Sequence, residues 1–234
     1  MNLHPELVQR RKELDDLWNR CFSSRESFAA LEDAARRFQR DFPQEIIGYQ
    51  ATMMLIEYAP PGKAQELAQE MAAAIGAPAG VRSWSKGFLY RAGLAGKPVE
   101  LRFTALDGRE VDVARMRGQV VLVQFWGPGC RPCVRGLDCL KALYASLRPQ
   151  GLEMIGIACA TDREGLLKFI QEKGIDWPQQ FEGQRVRTQN TMTQRFGING
   201  IPHLFLLDKQ GCLRQDNLKA DNTLAGRIAP LLAE

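Results

Sequence analysis

The run Val120-Val121-Leu122-Val123-Gln124-Phe125-Trp126, followed by Gly127-Pro128-Gly129-Cys130-Arg131-Pro132-Cys133, constrains the fold more than any other stretch. A near-continuous β-branched and aromatic segment reads as a strand buried on both faces, which requires covering layers on each side of a sheet. Gly127, Pro128 and Gly129 cannot extend that strand. Beyond them Leu137, Leu140, Tyr144 and Leu147 recur at helical spacing, so Cys130 is delivered to the start of an amphipathic helix. A helix N-terminus offers unpaired backbone N–H groups and the positive end of the macrodipole, and so favours an anion. At Cys130 that anion is a thiolate.

A Cys-x-x-Cys pair serves either as half of a metal site or as a dithiol/disulfide couple. Zinc needs two further ligands at defined spacing, and Cys139, Cys159 and His203 are scattered over predicted helix, loop and strand without a second such pair. A redox couple needs only a first sulfur held as thiolate and a second within reach, which a strand–turn–helix context supplies. No metal and no cofactor is expected. The six cysteines are too few for a disulfide scaffold in 234 residues, and Cys21, Cys139, Cys159 and Cys212 have no local pairing pattern. Packing is the plain reading for these four; Cys139 and Cys159 are the candidates for a second functional thiol. Trp84, Trp177 and Met53-Met54 also read as packing residues.

The excess of four positive charges is small and spread out, with no Lys/Arg block interleaved with aromatics, so nucleic acid is not an expected partner. No stretch approaches the roughly 18 consecutive apolar residues that span a bilayer, and no integral membrane span is expected. Arg10, Arg11, Lys12 and Glu13 follow the opening residues where a secretory leader would be apolar. Either the chain is cytoplasmic or it is a mature form whose leader is missing.

Residues 1–80 read as a helical bundle. Leu7, Leu14, Leu17, Trp18 and Cys21 form one stripe. Ser23 with Glu26 is a capping-box signature for a helix through Phe28, Leu31, Ala35 and Phe38. Ile46 to Tyr58 makes another helix, and Pro60-Pro61-Gly62 separates it from a last one over Ala64 to Ile75. This final pair looks like one tetratricopeptide-type hairpin, although no repeat accompanies it; the plainer reading is a bundle that packs on or extends its neighbour. Small residues, Gly and Pro mark residues 81–96 as a linker, and 97–234 as a second domain. There Val99, Leu101 and Phe103 alternate, Asp107-Gly108 is a turn signal, and Val111 and Val113 alternate on the return. Leu152 to Ala158 is a second buried strand, parallel to the first across the cysteine helix. Thr161 with Glu164 caps a helix ending at Gly174, and a short helix is predicted near Thr191–Phe196. Ile201 to Leu207 and Cys212 to Arg214 flank a tight turn and are antiparallel, and a helix closes the chain from about Asn222 to Leu232.

Phe125-Trp126-Gly127-Pro128-Gly129-Cys130-Arg131-Pro132-Cys133 resembles the active-site segment of thioredoxins, and Phe196-Gly197-Ile198-Asn199-Gly200-Ile201-Pro202 resembles the segment carrying their cis-proline. With Gly96-Lys97-Pro98 leading into a hairpin turned at Asp107-Gly108, the match is to the TlpA/ResA-like branch of thiol–disulfide oxidoreductases, over about Leu94 to Glu234. The resemblance implies an α/β fold: a thioredoxin-like mixed sheet flanked by helices, here preceded by a small all-α domain. It implies that Cys130 attacks a substrate disulfide, that Cys133 resolves the mixed disulfide, and that Trp126 flanks the site. By the same likeness Pro202 is cis and the Ile201 backbone pairs with an extended substrate. The implied partners are cysteine-containing proteins and a thiol/disulfide electron-transfer partner, in an extracytoplasmic compartment.

The chain departs from the family in places. Gln124 stands where thioredoxins have a buried acid, and Gly136 where many TlpA/ResA-like proteins have a glutamate. Asp138 or His203 are then the candidates to take the Cys133 proton, and slower resolution is expected. His203 replaces a more usual hydroxyl residue after Pro202; it lies either at the sheet edge or beside Cys130, where with Arg131 it would stabilise the thiolate. Disulfide reduction is the expected direction. The alternatives are a thiol peroxidase on the same fold and a redox-weak binding or scaffold protein.

Overall fold

The computed structural model describes residues 5–21, 26–184 and 191–234. The chain divides into two compact units, Met1–Leu89 and Tyr90–Glu234.

The first unit contains α1 (Pro5–Cys21), α2 (Glu26–Asp41), α3 (Ile46–Tyr58), α4 (Pro61–Ala73) and most of α5 (Ala79–Ala92). Helix α3 buries residues on almost every side, from Gly48 to Ile56, as a helix that is apolar all round must. Met53 and Met54 are thereby core residues, together with Leu31, Phe38, Leu67 and Trp84. Pro61 opens α4, where its missing N–H costs nothing. The Ser23 cap signature lies outside the described residues.

The stretch 81–96, read above as a linker, is mostly helix. Val81, Trp84, Ser85 and Phe88 share a face, and the first three are buried. The Gly80 and Ala-rich flanks obscure that stripe in the sequence. Further on, Gly96 N–H donates to Leu213 O at 2.8 Å, and Pro98 bridges to Cys212, which ties this segment to the edge of the second unit's sheet. The division between units falls inside α5, after Leu89.

In the second unit β3 (Val120–Trp126) is central and wholly buried. It runs parallel to β4 (Leu152–Ala158), which runs parallel to β5 (Gln179–Phe181). On its other side β6 (His203–Leu207) is antiparallel, followed by β7 (Leu213–Gln215), giving the order β5-β4-β3-β6-β7. The hairpin β1 (Arg102–Thr104) and β2 (Glu110–Asp112) forms a separate two-stranded sheet. Strand alternation divides the core. Leu122, Trp126, Met154 and Leu204 pack with α6 (Arg131–Leu147), α7 (Arg163–Lys173) and α9 (Leu224–Ala233). Val123, Phe125, Ile157 and Phe205 pack with the hairpin and with Phe196, which directly follows α8 (Thr191–Arg195). Each fully buried Leu or Phe contributes on the order of 1.5–3 kcal/mol, so this two-sided layer dominates the unit's stability.

Three details differ from the sequence reading. Strand β5 is too short and too polar, with Gln179 and Gln180, to show a period. Val113 lies in a 3-10 turn rather than on the return strand. Helix α7 is capped by Asp162, which accepts from Gly165 N–H at 3.0 Å, rather than by Thr161.

Candidate active site

Strand β3 ends at Trp126, and the turn Gly127–Gly129 brings Cys130 to the N-cap of α6. Its Sγ accepts the Cys133 N–H at 3.2 Å, so the sulfur already occupies the place where a helix N-terminus stabilises an anion. Pro132 sits in the first turn, where no N–H is needed. Cys130 and Cys133 are joined as a disulfide. Their exposures differ: Cys130 is half-buried and lines an open groove of about 810 Å³, whereas Cys133 is 2% exposed. That asymmetry makes Cys130 the sulfur a large substrate can reach.

The Ile201–Pro202 bond is cis, and Ile201 O lies 3.5 Å from Cys130 Sγ. Ile201 lines the groove with Gly127, Asp162, Leu166 and Phe169. Arg131 is exposed at the first helical position, next to Cys130. The structure thus brings together Cys130, Cys133, Arg131, Ile201 and Pro202.

Trp126 and His203 are placed differently from the expectation. Trp126 is fully buried, and its indole N–H donates to Gln179 Oε1 at 2.8 Å. Gln179 can lie there because Gly156 beneath it has no side chain; a Cβ at Gly156 would come within 1.9 Å of that oxygen. Trp126 therefore supports the site from within and offers no surface to a substrate. His203 lies across from Phe125 in register, on the sheet face opposite α6, packed edge-on against Phe125 and Phe205. It is 3% exposed, so it is neither at a solvated edge nor beside Cys130.

What surrounds His203 has no local signal in the sequence. Arg91 Nη1 is 3.3 Å from His203 Nε2, and Arg91 Nε pairs with Asp216 Oδ2 at 3.1 Å. Asp216 Oδ1 is 2.5 Å from His203 Nε2. Burial raises the Asp216 pKa, but the His203 hydrogen bond and the Arg91 charge outweigh it and hold the carboxyl below its ordinary range. This triad, in which Arg91 and His203 are buried and Asp216 reaches solvent, anchors the residue that directly follows Pro202. Its members stand 112 and 13 residues apart from His203, beyond the reach of any spacing argument.

Neither proposed proton acceptor is suitably placed. Asp138 is 93% exposed and pairs with Lys141 at 3.1 Å. Gln124, 1% exposed, lies on the α6 face of β3, and its Oε1 has no hydrogen-bond partner among the described residues. Gly136 is packed against Ala220, whose Cβ would be 2.8 Å from an added Cβ, so the space a family glutamate would use is filled. Of the other cysteines, Cys139 and Cys212 are partly exposed and Cys159 is buried on the groove wall. Burial pushes the Cys159 thiol up to about 12, which keeps it protonated and unreactive at neutral pH.

Residues 118–213 match the thioredoxin-like family. The thiol–disulfide oxidoreductase ResA of Geobacillus thermodenitrificans is 28% identical over 110 residues, covering 47% of this chain and 60% of that protein. The chain thus spans less than two thirds of the relatives it matches. Among solved structures, the thioredoxin domain of thiol–disulfide oxidoreductase BVU-2223 from Bacteroides vulgatus superposes with a TM-score of 0.52 at 23% identity, over 59% of this chain and 97% of that one. A DsbE-type thiol:disulfide interchange protein from Chlorobium tepidum gives 0.52 at 18% identity, over 59% and 96%. These likenesses establish the fold of the second unit. No helix among the described residues is long and apolar enough to cross a membrane.

Proposed function

Because residues 118–213 form a thioredoxin-like domain, we propose that the chain is a protein thiol–disulfide oxidoreductase working as a disulfide reductase on extended, cysteine-containing segments. The observation that carries this reading is the asymmetric pair: Cys130 open to the groove at a helix N-terminus, and Cys133 buried behind it. In the dithiol form the Cys130 thiolate attacks one sulfur of a substrate disulfide; that S–S bond breaks and the other sulfur leaves as a thiolate. Cys133 then loses its proton and attacks Cys130 Sγ, so the mixed disulfide breaks, the substrate leaves as a thiol and two electrons have passed to it. The Ile201 backbone beside Cys130 suits pairing with an extended substrate strand.

Gln124 cannot take the Cys133 proton, because a neutral amide oxygen accepts a hydrogen bond but is not a base near neutral pH. Resolution is then slower than in relatives with a carboxylate there. A thiol-based electron donor returns the couple to the dithiol, and the compartment that goes with the TlpA/ResA-like resemblance is extracytoplasmic.

The direction of flow is tested by the reduction potential of the Cys130/Cys133 couple. A reductase role predicts a value closer to about −270 mV, as in thioredoxin, than to about −120 mV, as in a strong oxidant. A value at the oxidising end would reverse the assignment.

A further inference from the structure

We propose that the groove beside Cys130 selects a partner-protein segment whose cysteine is followed or preceded, within a few residues, by an apolar and then an acidic side chain. The proposal rests on the oxidoreductase reading and adds a substrate class to it.

The Cys130 groove adjoins a second hollow of about 450 Å³, and the two share Pro128 and Phe169. One wall is a single face of α7: Asp162, Leu166, Phe169 and Lys173 follow one another at helical spacing. Along that face the character runs from acid through apolar to base. The other wall, from α6, adds Arg131, Val134 and Arg135. Eleven helical residues span about 16 Å, which an extended strand covers in about five residues. A substrate cysteine held at Cys130 therefore places its near neighbours over Phe169 and the cations.

The positions of these cations do not serve the helix. Arg131 and Arg135 stand at the positive end of the α6 dipole, four residues apart, and the first turn of α6 carries no acid. Cations there, and like charges at that spacing, both disfavour a helix. Among the described residues none of Arg131, Arg135 and Lys173 has a carboxylate partner, while the nearby acids are already engaged. Asp138 pairs with Lys141 at 3.1 Å, Glu172 with Lys168 at 3.8 Å, and Asp162 caps its own helix. Lys173 instead stands 5.9 Å from the Phe169 ring. Exposed, unneutralised charge from two helices beside an apolar floor fits a carboxylate-bearing partner, and Asp162 at the far end sets the direction in which it lies.

The test uses the full chain in its dithiol form and peptides of one length, each with a single cysteine held as a mixed disulfide with 2-mercaptoethanol. The flanks carry acidic pairs before or after the cysteine, glutamines, or lysines. The rate of peptide-thiol release is compared at low and high salt. One acidic peptide is expected to react about tenfold faster than the lysine peptide at low salt, with the gap closing at high salt. The ratio should invert in the double variant Arg135→Glu/Lys173→Glu, whose changes are at exposed positions. Equal rates across the peptides, or a ratio that neither salt nor the double variant moves, would overturn the proposal while leaving the reductase intact. No reaction with any peptide would count against the reductase reading and remove this proposal with it.

Discussion

Replacing Cys130 by serine should reduce insulin-disulfide reduction to the background rate of the small-molecule thiol. The hydroxyl is not ionised near neutral pH and cannot form the mixed disulfide. Neither Cys133 nor Cys159 can substitute. Cys133 is 2% exposed behind the α6 N-terminus, and Cys159, although on the groove wall, is kept protonated by burial. The Cys133→Ser variant has a different signature: its attacking thiolate is intact, so the first step proceeds and the second cannot. Substantial turnover in Cys130→Ser, measured in the full chain, would place the chemistry elsewhere.

Arg91→Met should cost about 1–2 kcal/mol of stability in the second unit, read from denaturant unfolding. It removes the buried guanidinium from a partly exposed charge cluster and leaves the Asp216 carboxylate with His203 and the Asn217 backbone. The methionine recovers part of the packing, since most of the Arg91 side chain is buried. Asp216→Asn alone should cost less, and the two changes together should cost less than their sum because they disrupt one network. The pH dependence has a definite sign. Asp216 has a folded-state pKa below its unfolded value, so its contribution is present above the ordinary carboxylate pKa of about 3.9 and is lost as pH falls through the lower folded value. Full additivity of Arg91→Met and Asp216→Asn would contradict a shared network.

Much of this could be read from residue order. The all-apolar run of β3, the Gly-Pro-Gly turn and the periodicity of α6 place Cys130 without coordinates, because each is a local pattern with a local cause. The pairing of β3 with β4 followed from the helix between them, and that of β6 with β7 from the tight turn that joins them. What the sequence hid is non-local. The family resemblance set Trp126 at the flank of the site, but its indole is fixed in the interior by Gln179 on a strand too short to recognise. His203 reads as lying either at the sheet edge or beside Cys130, yet strand alternation turns it to the other face, where Arg91 and Asp216 hold it. Helix α5 was masked by its small-residue flanks. The same alternation that removes His203 from the cysteines leaves Gln124 on their side of the sheet, so the missing base is a property of the site itself.

The most direct test of the central claim is to trap the intermediate. The full chain carrying Cys133→Ser, reduced and mixed with a disulfide-bonded protein substrate, should accumulate a one-to-one mixed disulfide that peptide mapping locates on Cys130, and Cys130→Ser treated in the same way should accumulate none. A trapped substrate on Cys21, Cys139, Cys159 or Cys212, or a comparable yield from Cys130→Ser, would contradict the account.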